Sequence, residues 1–259
     1  MSSQTHGSGV ALVTGSSRGI GAQVAIRLAE SGFDVVVHCH RRSRDAQTVA
    51  ENVQNLGRRA RVVQTDLGKP SGARELYETT DEAMGRLDVV VNNAGLLVRG
   101  SARELDRTIW HRTFAINLEG LYRSCVEAEK RMRRNVASEH GIQGRIVNMG
   151  SMGGMQATPQ SPHYGASKAA VHHLTKSLAE LFAPHVLVNA VAPGFVDTEM
   201  IAGLQRVRGE TSAQTPLGRW AEPSEVVEVV TYLATSPTFV TGQILPIDGG
   251  LGNVYVNLR

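Results

Sequence analysis

Cysteine is nearly absent from this chain. Cys39 and Cys125 are its only two, too few for a disulfide framework and without metal-site spacing, so a reduced, cytoplasmic, metal-free protein is expected. Long apolar runs are missing too, and the N-terminus shows no signal-peptide pattern; neither a membrane span nor a membrane partner is expected. Charge of one sign does not dominate: the formal net charge is +3. The arginines are scattered except for Lys130-Arg131-Met132-Arg133-Arg134, which reads as a solvated helix end or as a docking patch for an acidic partner. No stripe calls for a nucleic acid. The chain also lacks a linker, a composition break and a repeat. A loose polar tail is expected over residues 1–9, and one domain over 10–259. A domain of this size needs no staples.

What is present begins with Val10-Ala11-Leu12-Val13, a short apolar run expected as a buried parallel strand. It enters Thr14-Gly15-Ser16-Ser17-Arg18-Gly19-Ile20-Gly21, then a helix stopped by Gly32, then a second strand over residues 34–38. Strand, glycine turn, helix and strand make a βαβ unit. Gly15, Gly19 and Gly21 permit a sharp turn and close approach to a pyrophosphate, and the helix N-terminus offers free N–H groups to it. The alternative is a plain tight turn, because the spacing is not the usual G-x-G-x-x-G.

After the second strand a carboxylate is missing. NAD sites place Asp or Glu there, whereas this chain reads His38-Cys39-His40-Arg41-Arg42-Ser43. Arg41, with Arg18 in the turn, suits a 2′-phosphate, so NADP(H) is expected over NAD(H); solvated surface arginines are the other reading. Further strands are expected over residues 61–64, 87–91, 144–149, 186–191 and 243–247. Helices are expected over 43–56, 73–84, 107–135, from Tyr164 onward, and over 223–234. At strand ends stand Asp66-Leu67, either an adenine contact or a helix cap, and Asn92-Asn93-Ala94-Gly95, a cofactor wall or an ordinary turn. Asn117 lies among apolar residues and must find partners, as a bracket or within a site.

Tyr164 and Lys168 are four apart and share a helix face. An ammonium beside a phenol is expected to lower its pKa and let it pass a proton near neutrality, with Ser151 as a second hydroxyl. Residues 152–159 form a lip between Ser151 and Tyr164, and residues 199–216 a lid. The apolar stripe of the helix is expected at Ala169, Val171, Leu174, Leu178 and Leu181. His163, His172 and His173 read as packed or surface histidines.

In this order, Thr14-Gly15-x3-Gly19-x-Gly21, Asp66, Asn92-Asn93-Ala94-Gly95, Asn117, Ser151, Tyr164-x3-Lys168 and Pro193-Gly194 resemble the short-chain dehydrogenase/reductase family. Residues 192–200, Val240-Thr241-Gly242-Gln243 and Asp248-Gly249-Gly250 look most like its 3-oxoacyl-[acyl-carrier-protein] reductases. The resemblance implies a Rossmann-type, doubly wound α/β domain: about seven parallel strands with helices on both faces. It also implies a homotetramer, with the helices around Asn117 and after Tyr164 at one interface. Carried over by position, Tyr164 protonates a carbonyl and Ser151 polarises it. Lys168 bonds the nicotinamide ribose, and Asn117 holds a relay water. Cofactor contacts fall to Gly15, Ser17, Arg18, Gly19, Ile20, Gly21, His40, Arg41, Asp66, Leu67, Asn93, Ala94, Gly95, Tyr164, Lys168, Pro193, Gly194, Val196 and Thr198. The implied activity is NADPH-dependent reduction of a small carbonyl, foremost the 3-keto group of a carrier-protein or coenzyme A thioester. The alternatives are a reductase or dehydrogenase of a sugar, polyol or steroid, and a nucleotide-binding regulator without turnover. Two departures stand out. Gly150 replaces a serine found in many relatives, which is expected to loosen the loop. Glu180 and His185 stand where carrier-protein reductases often carry basic residues.

Overall fold

The computed structural model describes residues 9–100, 106–236 and 239–253. Apart from Gly9, the expected N-terminal tail lies outside them. Seven strands pair in parallel: β1 (Val10–Val13), β2 (Asp34–Cys39), β3 (Ala60–Gln64), β4 (Val89–Asn92), β5 (Gly144–Met149), β6 (Val186–Pro193) and β7 (Ile244–Ile247). Their order is β3-β2-β1-β4-β5-β6-β7, the doubly wound arrangement that reverses between β1 and β4. In register, Val10 to Val13 face Asp34 to Val37 on one side, and Ala11 to Val13 face Val89 to Val91 on the other.

Because helices cover both faces, the inner strands are buried at nearly every position rather than at alternate ones. Ala11, Val13, Val35 and Val37 point toward α1 (Gly19–Glu30), α2 (Ser43–Asn55) and α8 (Pro223–Thr235), which follows the short α7 (Arg208–Ala213). Val10, Leu12, Val36 and Val90 point toward α3 (Gly72–Met84), α5 (Leu121–Met132) and α6 (Pro162–Phe182). Each fully buried valine or leucine contributes roughly 1.5–3 kcal/mol of transfer free energy. Gly32 follows α1 with φ +95, a conformation that ends the helix at little cost to glycine alone. At α8, Glu222 and Glu225 form a reciprocal capping box with Pro223 in the first turn, satisfying donors the helix leaves open.

Two expected elements differ. The single helix over residues 107–135 is three pieces: α4 (Arg107–Phe114), a π-helical turn (Ala115–Gly120), and α5. Asn117 lies in that turn, and its side chain pairs with Leu96 and Ser167 rather than with helix backbone. A Cβ on Gly120 would lie 2.4 Å from the Leu67 carbonyl oxygen, so the turn also fits against the end of β3. On α6, Leu181 is 71% exposed and Ala169 is exposed; the buried stripe instead runs through Val171, Thr175, Leu178, Ala179 and Phe182. The basic run at the end of α5 is ion-paired. Lys130 meets Glu127, Arg131 meets Asp81 and Glu127, and Arg133 meets Glu129. That is a helix end with most of its charge paired, at i,i+3 and i,i+4 spacing and with Asp81 of α3. Among the described residues no helix is long and apolar enough to cross a membrane.

Candidate active site

At the strand reversal the carboxyl ends of β1 and β4 part, and α1 begins. Gly15 and Gly19 have φ +63 and +56, which L side chains rarely adopt. Gly21 is required for space: a Cβ there would lie 2.4 Å from Asn93 Nδ2 and 2.7 Å from the Gly15 carbonyl. No side chain caps α1 and no acidic residue stands in its first turn, so its N–H groups and positive dipole end are left for an anion. Asn93 donates to the Thr14 and Gly15 carbonyls at 3.0 Å each. Its amide thus braces the turn while the residue lines the groove.

That groove, about 450 Å³, is lined by Gly15, Ser17, Arg18, Gly19, Ile20 and Gly21, by His40 and Arg41, by Asp66 and Leu67, and by Asn93, Ala94, Gly95 and Thr198. Fourteen of the expected cofactor positions therefore share one trough. Asp66 does not cap a helix. Its carboxylate accepts the Gly68 N–H at 3.0 Å and faces His40 Nε2 at 3.5 Å. Arg42 lines the groove as well, a residue the sequence reading passed over in favour of Arg41. Arg18 and Arg42 both pair with Glu199 at the start of the lid.

A second cavity of about 370 Å³ adjoins the groove and shares Ile20, Asn93, Gly95, Thr198 and Met200 with it. Ser151, Tyr164 and Lys168 line it, and Pro193, Gly194 and Val196 form part of its wall. Met152 and Gln156 from the lip and Met200, Ile201 and Gln214 from the lid also face it. The Ser151 hydroxyl accepts the Gly153 N–H at 3.1 Å, which leaves its own proton to donate. Lys168 Nζ donates to the Met149 carbonyl at 2.6 Å and lies 5.7 Å from the centre of the Tyr164 ring. Asn117 stands behind this wall and lines neither cavity. Its Oδ1 and Lys168 Nζ come within 3.6 and 3.7 Å of where a Cβ on Gly95 would be.

The electrostatics correct one expectation. Burial pushes the Tyr164 phenol above its ordinary value, with a hydrogen bond from Ser151 pulling the other way. Lys168 does not lower it here, because its ammonium is directed at Met149. Burial takes Lys168 itself down to about 8, since desolvation disfavours the charged amine.

Two histidines were not singled out from sequence as part of the site. His38 at the end of β2 holds the Gly15 N–H. His172, one turn beyond Lys168, accepts the Ser151 N–H. It fills the space that a side chain on Gly150 would take. Their partners are 23 and 21 residues away, beyond any local spacing signal.

A sequence profile described as Enoyl-(Acyl carrier protein) reductase matches residues 15–252. A 3-oxoacyl-[acyl-carrier-protein] reductase of Aggregatibacter actinomycetemcomitans is 38% identical over 242 residues, 93% of this chain and 98% of that protein. The chain belongs to the short-chain dehydrogenase/reductase family. A cis-4-hydroxycyclohexanecarboxylate dehydrogenase of Sinomonas cyclohexanicum is 39% identical over 245 residues, 93% of this chain and 95% of its own. A solved gluconate 5-dehydrogenase from Burkholderia cenocepacia, in complex with NADP and tartrate, superposes with a TM-score of 0.87 at 30% identity. That match covers 95% of this chain and 96% of that one. Short-chain dehydrogenases bind nicotinamide cofactors, and the groove fits one. The uncapped start of α1 and the glycine cradle suit a pyrophosphate, and the groove leads directly to Tyr164 and Ser151.

Proposed function

We propose that the protein reduces a carbonyl to an alcohol with NADPH, and that its substrate is the 3-keto group of a 3-oxoacyl thioester. The observation that carries this reading is the junction of the two cavities, where Ser151, Tyr164 and Lys168 meet the end of the glycine-lined groove. NADPH bound in that groove supplies the hydride. Ser151 donates a hydrogen bond to the substrate oxygen, and Tyr164 gives that oxygen a proton as negative charge develops on it. A phenol held above its ordinary value by burial is fully protonated beforehand, as an acid must be. Lys168, turned from the Met149 carbonyl toward the phenolate left behind, stabilises it, and Asn117 holds the water that returns a proton through Lys168.

Arg18, Arg41 and Arg42 favour a 2′-phosphate, with no Asp or Glu directly after β2 to claim a ribose hydroxyl. Met152, Met200 and Ile201 give the substrate cavity an apolar wall that suits an acyl chain. The exposed Trp110, Tyr122 and Leu181 on α4, α5 and α6 support assembly into a homotetramer through these helices. Buried, free Cys39 and Cys125 suit a cytoplasmic setting.

A second reading has an observation of its own. The 39% identity to a hydroxycyclohexanecarboxylate dehydrogenase, with Gln156 and Gln214 on the cavity wall, favours a compact alcohol or ketone. The test follows NADPH and NADH consumption with acetoacetyl-coenzyme A, then with cyclic ketones and ketoacids. Turnover of the thioester with NADPH supports the first reading. Turnover confined to the ketones establishes the second, and nucleotide binding without any turnover defeats both.

A further inference from the structure

Tyr164, Lys168 and His172 recur every fourth residue of α6 and so rise along one face of it. His172 is 8% exposed. Its Nε2 lies 3.3 Å from the Ser151 backbone nitrogen. The imidazole also takes the room of a missing side chain: a Cβ on Gly150 would lie 2.3 Å from Nε2 and 2.7 Å from Cδ2. On its other edge, a Cβ on Gly154 would lie 2.8 Å from Cε1. The loop that carries Ser151 is therefore wrapped around this ring.

Three other N–H groups of the loop go to β6 or to Ser151 itself. The Gly150 N–H goes to the Val191 carbonyl at 2.7 Å, the Gly154 N–H to the Ser151 carbonyl at 2.9 Å, and the Gly153 N–H to the Ser151 hydroxyl. The Ser151 N–H is the one handed to a side chain of α6. To accept it, Nε2 must present a lone pair, so the ring is neutral with its proton on Nδ1. Burial, aided by the charges of Lys168 and Lys176, lowers His172 to about 4 and keeps it neutral.

We propose that His172 is a positioning residue that fixes Ser151 by accepting its backbone N–H, and that residue 150 must be glycine because the imidazole occupies its side-chain space. This rests on Ser151 as the hydroxyl that polarises the substrate carbonyl. Gly150 and His172 are one device: the glycine opens the gap and the histidine fills it with an acceptor.

The test has two arms. ¹⁵N spectra of the histidine rings in the full-length protein, with His172 assigned by its absence in His172→Gln, report the tautomer without any substrate. The Nδ1–H form is expected; an Nε2–H form sets donor against donor and overturns the proposal. In the kinetic arm, with NADPH and acetoacetyl-coenzyme A, His172→Leu fills the space without an acceptor. It is expected to lower kcat about tenfold, the scale of one lost hydrogen bond, with KM for NADPH unchanged. His172→Gln restores most of it. Gly150→Ala lowers kcat in the wild-type background but not alongside His172→Ala, a coupling expected only of touching residues. Equal loss in His172→Leu and His172→Gln, or additive Gly150 and His172 effects, overturns it. Wild-type kcat in Ser151→Ala instead defeats the role proposed for Ser151, and the tautomer measurement separates that failure from this one.

Discussion

The N–H of Gly15 is held by Nδ1 of His38 at 3.1 Å. On the ring's far side, Nε2 lies 3.2 Å from the Thr65 carbonyl. A neutral imidazole with its proton on Nε2 satisfies both contacts. His38 thus ties the first glycine of the turn, at the end of β1, to the end of β3 across β2. His38→Ala removes both anchors, and the turn loses the shape that receives a pyrophosphate. NADPH affinity, read by nucleotide fluorescence titration, is expected to fall roughly tenfold, the scale of one or two neutral hydrogen bonds. Unchanged affinity in a folded variant would remove His38 from the cofactor site.

Acid should destabilise the fold through the same ring and through His172. Both are lowered from 6.5 to about 4, chiefly by burial. Above 6.5 neither the folded nor the unfolded chain binds the proton, and their contribution is complete. As pH falls from 6.5 toward 4, the unfolded chain takes up protons that the folded chain refuses, so stability declines; below about 4 there is nothing further to lose. Urea midpoints across this window should drop with acid, and the drop should shrink in His38→Gln and in His172→Gln. Glu225, lowered to about 2 by Arg219, acts in a lower window, between 4.5 and about 2, and does not account for this decline.

Much of the fold was legible because its signals are local. Val10 to Val13 read as a strand, Gly15 to Gly21 as a turn, and Tyr164 and Lys168 as one helix face, all from short-range spacing. What was not legible depends on partners distant in sequence. The π-helical turn is set by Asn117 meeting Leu96 and Ser167, 21 and 50 residues away. Gly150 read only as a missing side chain, and the ring that fills its place, His172, comes from another element. In the Lys130 to Arg134 run, the local pairs with Glu127 and Glu129 are readable from spacing, but the Asp81 carboxylate on Arg131, 50 residues away, is not. Charge and pattern are written along the chain; neutralisation and filling are written across it.

Cofactor preference gives a pair of predictions with opposite signs. Arg18 and Arg42 are shared with the Glu199 carboxylate, which competes with any phosphate for the same guanidinium donors. Arg18→Ala or Arg42→Ala should raise KM for NADPH roughly 10–100-fold, as for lost charged hydrogen bonds, and leave KM for NADH nearly as it was. Glu199→Gln should instead lower KM for NADPH a few-fold. An equal change for both nucleotides in any of these variants would place the arginines away from the 2′ position.

The proton chemistry makes the sharpest demand. Tyr164 must be protonated before the reaction and stabilised as an anion after it, and burial secures the first condition by raising the phenol. The second depends on Lys168, whose ammonium lies beside the ring and must turn to the phenolate from the Met149 carbonyl it holds in this structure. Burial lowers that amine to about 8, so its charge is complete below that value and is lost as pH rises through it. Reductive turnover should therefore hold steady through neutrality and decline above about 8. Lys168→Met should remove the decline along with most of the activity. Tyr164→Phe should keep NADPH binding and lose at least ~100-fold in kcat, the usual scale for an acid in a transition state. If Tyr164→Phe turned over like the wild type, the proton would have to come from another group. A profile that kept rising above 8 would mean that the amine works uncharged, contrary to its assigned role.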